Sequence, residues 1–308
     1  MTRRRTALLA ATTLFLALAG CGLQGGPGSD GVSVNVTQDF GSAAIGAKVQ
    51  SRIPAGETVA GLLERSFTVS TGRRGSIASI DGYGGGVPRI GWSFYVNGIL
   101  AGKRAAATAV NAGDHVWWDL HSEVATRQVP AVIGSYPEPF TNGIGGRRFP
   151  TVLQCGANLA RACDVVAASL RRAGIKVADQ ELGGGSGSDS LAIEVGTWRQ
   201  LHGVIAADLI AAGPAQSGVY AQFVGSAGQA LELDNVQGAV VRTLRAGGGL
   251  IAATEQPALN EPTWLVTGTD VAGVDAAAAA LTPARLHDHF ALAVDGSQDL
   301  PLPIAPAP

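Results

Sequence analysis

Apolar and polar residues first alternate at Val32-Ser33-Val34-Asn35-Val36-Thr37, the period-two pattern of a half-buried strand. The period changes over residues 57–66. Val59, Leu62 and Leu63 share a helical face there, and Glu57 or Thr58 can begin the helix. Residues 75–81 return to strand, with Ile77 and Ile80 apolar, and end at the loop Gly82-Tyr83-Gly84-Gly85-Gly86. Trp92-Ser93-Phe94-Tyr95-Val96 is a further strand. The Asn97-Gly98 pair after it tolerates positive φ at both positions and predicts a tight hairpin turn. Gly113-Asp114 turns the chain into a last strand, His115-Val116-Trp117-Trp118-Asp119-Leu120. Strands packed around a single helix predict a β-grasp-like roll over residues 32–122.

From Pro150 onward strands and helices alternate. Thr151-Val152-Leu153-Gln154 is a short apolar strand, and Asn158 can cap a helix that buries Leu159, Ala162, Val166 and Leu170. Further strands are expected at residues 175–178, 191–195, 219–224, 230–233, 250–253, 264–267 and 290–294. Helices are expected over 198–212, capped by Thr197, and over 271–281, capped by Asp270. Pro150 to Ala160 and Pro262 to Ala272 share one scheme, strand, Gly turn, Asn/Asp cap, helix, at a spacing of 112 positions. The expected fold is therefore α+β: an N-terminal β-grasp-like domain (32–122) followed by an α/β layered domain (150–296). Residues 123–149, with Pro130, Pro137, Pro139, Gly143, Gly145 and Gly146 and no sustained period, read as a linker. Residues 297–308 read as a Pro-rich tail.

The N-terminus adds an address. Arg3, Arg4 and Arg5 precede an apolar run from Leu8 to Leu18, shorter than the roughly 20 residues a spanning helix needs. Leu18-Ala19-Gly20-Cys21 resembles the lipobox of bacterial lipoproteins. Residues 1–20 then read as a lipoprotein signal peptide, Cys21 as the lipid attachment site, and the Gly-rich stretch 21–31 as a flexible tether. That implies an extracytoplasmic chain anchored to the cell membrane.

Charge and cysteine content narrow the function. The chain has 22 Lys+Arg against 24 Asp+Glu. With three Arg and no acid in residues 1–20, the remainder holds 19 against 24, formally −5. No basic patch is expected and nucleic acid is not among the expected partners. Cys155 and Cys163 suit a disulfide outside the cell, the alternative being two buried free thiols. No metal-ligand set surrounds them, and His287-Asp288-His289 places two imidazoles on one side only if extended. No Gly-x-Ser-x-Gly elbow, P-loop or His-Glu-x-x-His motif occurs, so an enzyme is not expected.

The stretch Gly91 to Gly98, with Gly113-Asp114-His115-Val116-Trp117-Trp118 and Ser79-Ile80-Asp81-Gly82, resembles the transcobalamin-like C-terminal domain. That resemblance implies a β-grasp fold and a ligand such as cobalamin, delivered to a vitamin transporter. By strand period, Trp92/Phe94/Val96 and Val116/Trp118/Leu120 are the core faces. Tyr95, Asn97, His115 and Trp117 then lie on the opposite faces, outward or toward the second domain, and Tyr83 sits in the glycine loop. These five residues are the candidate ligand contacts, with His115 the candidate axial ligand to cobalt. The competing reading gives Tyr95 and Trp117 a packing role only. The functional expectation is a ligand-binding lipoprotein, and the alternative is an envelope protein-interaction module without a small ligand.

Overall fold

The computed structural model describes residues 31–84, 86–183, 189–255 and 261–305. Cys21, the expected signal peptide and the expected tether up to residue 30 lie outside the described residues, as do the last three of the expected tail.

In the first unit β1 (Val32–Gln38), β2 (Ala43–Gln50), α1 (Val59–Ser66), β3 (Val69–Thr71), β4 (Ile77–Ile80), β5 (Ile90–Val96), β6 (Ile99–Leu100) and β7 (His115–Ser122) follow in order. The main sheet runs β2-β1-β7-β5-β6. β1 and β7 pair in parallel at its centre, Val34 opposite Val116, and the outer pairs are antiparallel. This is the β-grasp arrangement. Thr58 caps α1 by accepting from the Gly61 N–H. The helix lays Val59, Leu62 and Leu63 on the sheet face made by Val34, Val36, Phe94, Val116 and Trp118. Asn97 (φ 55°) and Gly98 (φ 80°) form the expected hairpin turn, both left-handed.

The second unit comprises β8 (Thr151–Cys155), α2 (Ala160–Arg172), β9 (Val177–Glu181), β10 (Leu191–Thr197), α3 (Ile205–Ala211), α4 (Pro214–Ser217), β11 (Ala221–Val224), β12 (Ala230–Asp234), β13 (Val240–Leu244), β14 (Gly248–Glu255), β15 (Pro262–Gly268), α5 (Val271–Ala280), α6 (Pro283–Leu286), β16 (Ala291–Asp295) and β17 (Gln298–Leu302). Its seven-stranded sheet has the order β17-β16-β14-β15-β10-β8-β9, with β9, β8, β10 and β15 parallel. Helices α2 and α5 cover one face through Val166, Leu170, Val274 and Ala277, packed on Leu153, Ile193 and Val266. The opposite face, with Leu250, Ala252 and Leu265, packs against α3, the small sheet β11-β12-β13 and the first unit. Cys155 and Cys163 form a disulfide, Cα atoms 6.2 Å apart, that staples the end of β8 to the first turn of α2.

Four expectations fail locally, each for a physical reason. Asn158 does not cap α2: it stands at φ 62°, while Leu159 occupies the cap position with no side-chain bond. Thr197 starts no helix. Its hydroxyl donates to Gln200 Oε1 at 3.0 Å, Gly203 turns the chain at φ 84°, and α3 begins only at Ile205. The segment read as a linker is part of the core, with Val129, Ala131, Val132, Ile133, Tyr136 and Phe140 all buried. It joins both hydrophobic clusters of the second unit, so its prolines shape a packed connection rather than a loose one. The expected tail is a strand as far as Leu302, because Leu300 and Leu302 have apolar surface to cover and pair with β16.

Candidate functional site

The outward face of the β-grasp sheet is not free. Tyr95 and Trp117 are completely buried against the second unit, where Phe290 takes both edge-on at centroid distances of 5.6 and 5.1 Å. Phe40 completes this junction, 5.1 Å from both Phe290 and Tyr220. The fit is close: a Cβ on Gly134 would lie 2.8 Å from the Trp117 ring and 2.7 Å from the His289 backbone nitrogen. Trp117 Nε1 donates to Thr37 Oγ1 at 2.8 Å. Tyr95 and Trp117 therefore pack the junction and do not contact a ligand. Strand period placed them on the right face, but the second unit covers it.

Asn97 is also structural. Its Nδ2 donates to Asp114 Oδ1 and to the Gly143 carbonyl, and its Oδ1 accepts from the His115 N–H, all at 2.8 Å. With both amide hydrogens and the oxygen engaged, and the residue fully buried, Asn97 presents no polar atom to a ligand. Tyr83, 46% exposed, sits in its loop between β4 and β5 and lines none of the cleft described next. Of the five candidates His115 reaches a cavity.

That cavity is a cleft of about 470 Å³ where the units meet. Asn35 and His115 come from the first unit, Ser135 and Glu138 from the connection, and His287 from the second unit. His115 Nδ1 lies 2.8 Å from Ser135 Oγ. Burial, with a smaller electrostatic contribution from nearby His287, brings the His115 imidazole down to about 4, so it is neutral at physiological pH. His287 is 63% exposed, with Nδ1 3.1 Å from Asp288 Oδ2. Asn35 Nδ2 holds the other Asp288 oxygen at 3.3 Å. Burial raises the Glu138 carboxyl, while Thr141 Oγ1 and both nitrogens of Asn142 donate to it and lower it. The cleft thus offers a neutral imidazole, a hydroxyl, an amide and an exposed imidazole within one concave surface. Such a set can orient a small polar ligand by hydrogen bonds. Among the described residues, no group of three or more His, Cys, Asp or Glu side chains is placed to hold a metal ion.

Residues 56–122 match the family model described as a domain of unknown function (DUF4430). The DUF4430 match starts just before α1 and ends with β7, leaving out β1, β2 and the whole second unit. Among solved structures, a "putative metal binding protein" from Ruminococcus gnavus aligns over 30% of this chain and 97% of its own, at 18% identity and a TM-score of 0.25. No curated protein matches the chain.

Ser135 and Glu138 had no signal in the sequence, and His287 stood out only as half of a His-x-His pair weighed for metal binding. The first two lie in a stretch whose prolines suggested an open connection, and His287 lies in a turn between α6 and β16. The expectation that no basic patch would form also fails. Arg148, Arg171, Arg172 and Lys176 line one cleft beside the junction, because the end of α2 returns next to the start of β8.

Proposed function

We propose that this chain is an extracytoplasmic binding protein, tethered to the membrane through Cys21, whose ligand site is the junction cleft around His115. The observation that carries the reading is the cleft itself, built from both units and from the connection between them. Its volume lies in the range of about 300–1,000 Å³ that small-molecule sites occupy, and domain junctions are a common place for them. The junction packing of Tyr95, Trp117, Phe40 and Phe290 holds the walls in a fixed relation, so the site is formed before the ligand arrives.

Binding is favoured over catalysis. Ser135 and His115 are within hydrogen-bond distance, but no carboxylate bonds the imidazole among the described residues, and a base near pKa 4 removes a serine proton poorly at neutral pH. In its narrow form, taken from the transcobalamin-like resemblance, the ligand is cobalamin and the recipient a vitamin transporter. That form has lost Tyr95 and Trp117 as contact area, so the broad form, a small polar solute, is the better supported.

Two measurements test the proposal. Cells fed radioactive palmitate should label the protein, and Cys21→Ser should abolish the label; an unlabelled protein removes the tether. Spectral titration with cobalamin, alongside a thermal-shift screen of small polar solutes, should yield at least one ligand whose effect His115→Ala and Ser135→Ala both weaken. A partner protein recovered by crosslinking in intact cells, with no solute sensitive to His115, would replace this reading by that of an envelope interaction module.

A further inference from the structure

The cleft beside the junction differs in character from the site around His115. It encloses about 480 Å³ and is lined by Arg148, Arg171, Arg172 and Lys176, with Phe140, Phe149 and Ile175 as its apolar walls. No carboxylate lines it among the described residues. Elsewhere on the surface some arginines pair with acids, Arg147 with Asp189 at 2.7 Å and Arg242 with Asp295 at 2.8 Å, while others, such as Arg52 and Arg127, form no ion pair among the described residues; what sets this cleft apart is that four cations share one concavity. Arg171, Arg172 and Lys176 have no ion pair or side-chain hydrogen bond among the described residues. Arg148 reaches only the Asn142 amide oxygen, at 3.4 Å.

Four cations crowded on one concavity repel one another, and the negative end of α2 offsets that only in part. Clustering them in a cleft whose own lining holds no carboxylate, with Asp164 and Asp179 only in the adjoining pocket beside Arg171 and Lys176, on a chain that is acidic overall, is best explained by an anion supplied from outside. Three are arginines, whose planar guanidinium forks match the oxygens of a phosphoryl group in pairs. The aromatic and aliphatic walls give the remainder of such a ligand something apolar to lie on.

We propose that this cleft binds a phosphoryl group carried on an apolar body. The inference stands on these residues alone and does not depend on a ligand at His115. The shared chemistry is the phosphate ester; a soluble ester or a lipid headgroup can supply it.

The experiment titrates the purified full chain calorimetrically with two probes: phenyl phosphate, and dihexanoyl phosphatidylglycerol below its micelle concentration. The quadruple variant Arg148→Gln, Arg171→Gln, Arg172→Gln, Lys176→Gln is compared with the parent, and Arg52→Gln, an exposed charge outside the cleft, is the control. All four cleft positions are exposed, so the variant should keep the parental circular dichroism spectrum and melting temperature. Binding should weaken about tenfold or more in the quadruple variant. It should also weaken when salt rises from about 0.05 to about 0.3 M, and stay unchanged in the control. Binding of phenyl phosphate alone would support a soluble ester as the source, and binding of the phosphatidylglycerol alone a lipid headgroup. No binding of either probe, or equal binding by parent and quadruple variant, would overturn the inference. Loss of binding here with the His115-dependent ligand retained would separate the two sites.

Discussion

Asp119 on β7 and Glu194 on β10 are buried almost equally, yet their surroundings differ completely. Asp119 accepts from the N–H groups of Phe40 and Gly41 at 3.1 and 2.9 Å and from the Thr37 hydroxyl at 2.5 Å, and its Oδ1 lies 2.8 Å from His121 Nδ1. The turn between β1 and β2 makes this possible. Asp39, Phe40 and Gly41 are successive left-handed residues (φ 55°, 59° and 80°), which turns their amides inward as a small nest for an anion. Glu194 sits in the middle of a central strand, where neighbouring amides are spent on the sheet ladder. Its Oε2 has no partner, and burial pushes the carboxyl up to about 7. Burial alone therefore does not decide how well a carboxyl group is partnered; what decides is whether the local backbone has donors to spare.

The comparison can be broken most directly at Asp119. Asp119→Ala leaves two buried amides and a hydroxyl without an acceptor and should cost about 3–5 kcal/mol in urea denaturation at pH 7. A loss under about 1 kcal/mol would mean that the nest is not the anchor described. At Glu194 the sign reverses. Its folded pKa lies above the unfolded value, so its stabilising contribution is complete below about pH 4.5 and is lost as pH rises through about 7. Glu194→Gln should therefore stabilise the protein by about 2–3 kcal/mol at pH 8 and leave it nearly unchanged at pH 4.5; equal curves at both pH values would refute the shift.

Two hydroxyls repeat the contrast at smaller scale. Thr37 Oγ1 is engaged by Asp119 and Trp117, whereas the buried Thr267 Oγ1 has no partner. Thr37→Val should cost about 1–2 kcal/mol and Thr267→Val less than about 0.5 kcal/mol, read from paired melting curves. A pH-dependent effect of similar scale concerns His115, whose folded pKa lies below the unfolded value. The wild type should lose stability as pH falls from about 6.5 to about 4, and His115→Gln should remove about 1 kcal/mol of that loss, a figure already reduced for contact with solvent. An unaltered slope would place the imidazole outside the cleft.

Where a local rule acts alone, the sequence is a good guide to this fold. Alternation located β1, β5 and β7; Asn97-Gly98 located the hairpin; Asp270 was expected as a cap, as was Thr58 with Glu57 as the alternative, and both Thr58 and Asp270 accept from the N–H three residues on. Reading fails where tertiary packing outvotes local composition. Ser135-Tyr136-Pro137-Glu138-Pro139-Phe140 has no periodicity, so nothing local shows that Tyr136 and Phe140 meet Trp264 at 5.9 and 5.2 Å. The candidate ligand face shows the same limit from the other side. Period two assigned Tyr95 and Trp117 to the correct surface but cannot say what covers it. Of the junction cleft, sequence marked His115 as a ligand contact and weighed His287 only for a metal, because the walls come from separate segments spread from Ser33 to His287.

The parallel pairing of β1 with β7 bears on how this chain comes to be folded. A strand that leaves the ribosome first must wait for a neighbour some eighty positions behind it; Trp117 reaches Thr37 across that gap. Phe290, which closes over Tyr95, Trp117 and Phe40, is synthesised much later still. For most of its synthesis the nascent chain therefore holds an uncovered aromatic surface, a hazard for self-association that holding factors or rapid completion must limit. A fragment stopped at the end of β7 should precipitate where the whole chain stays in solution.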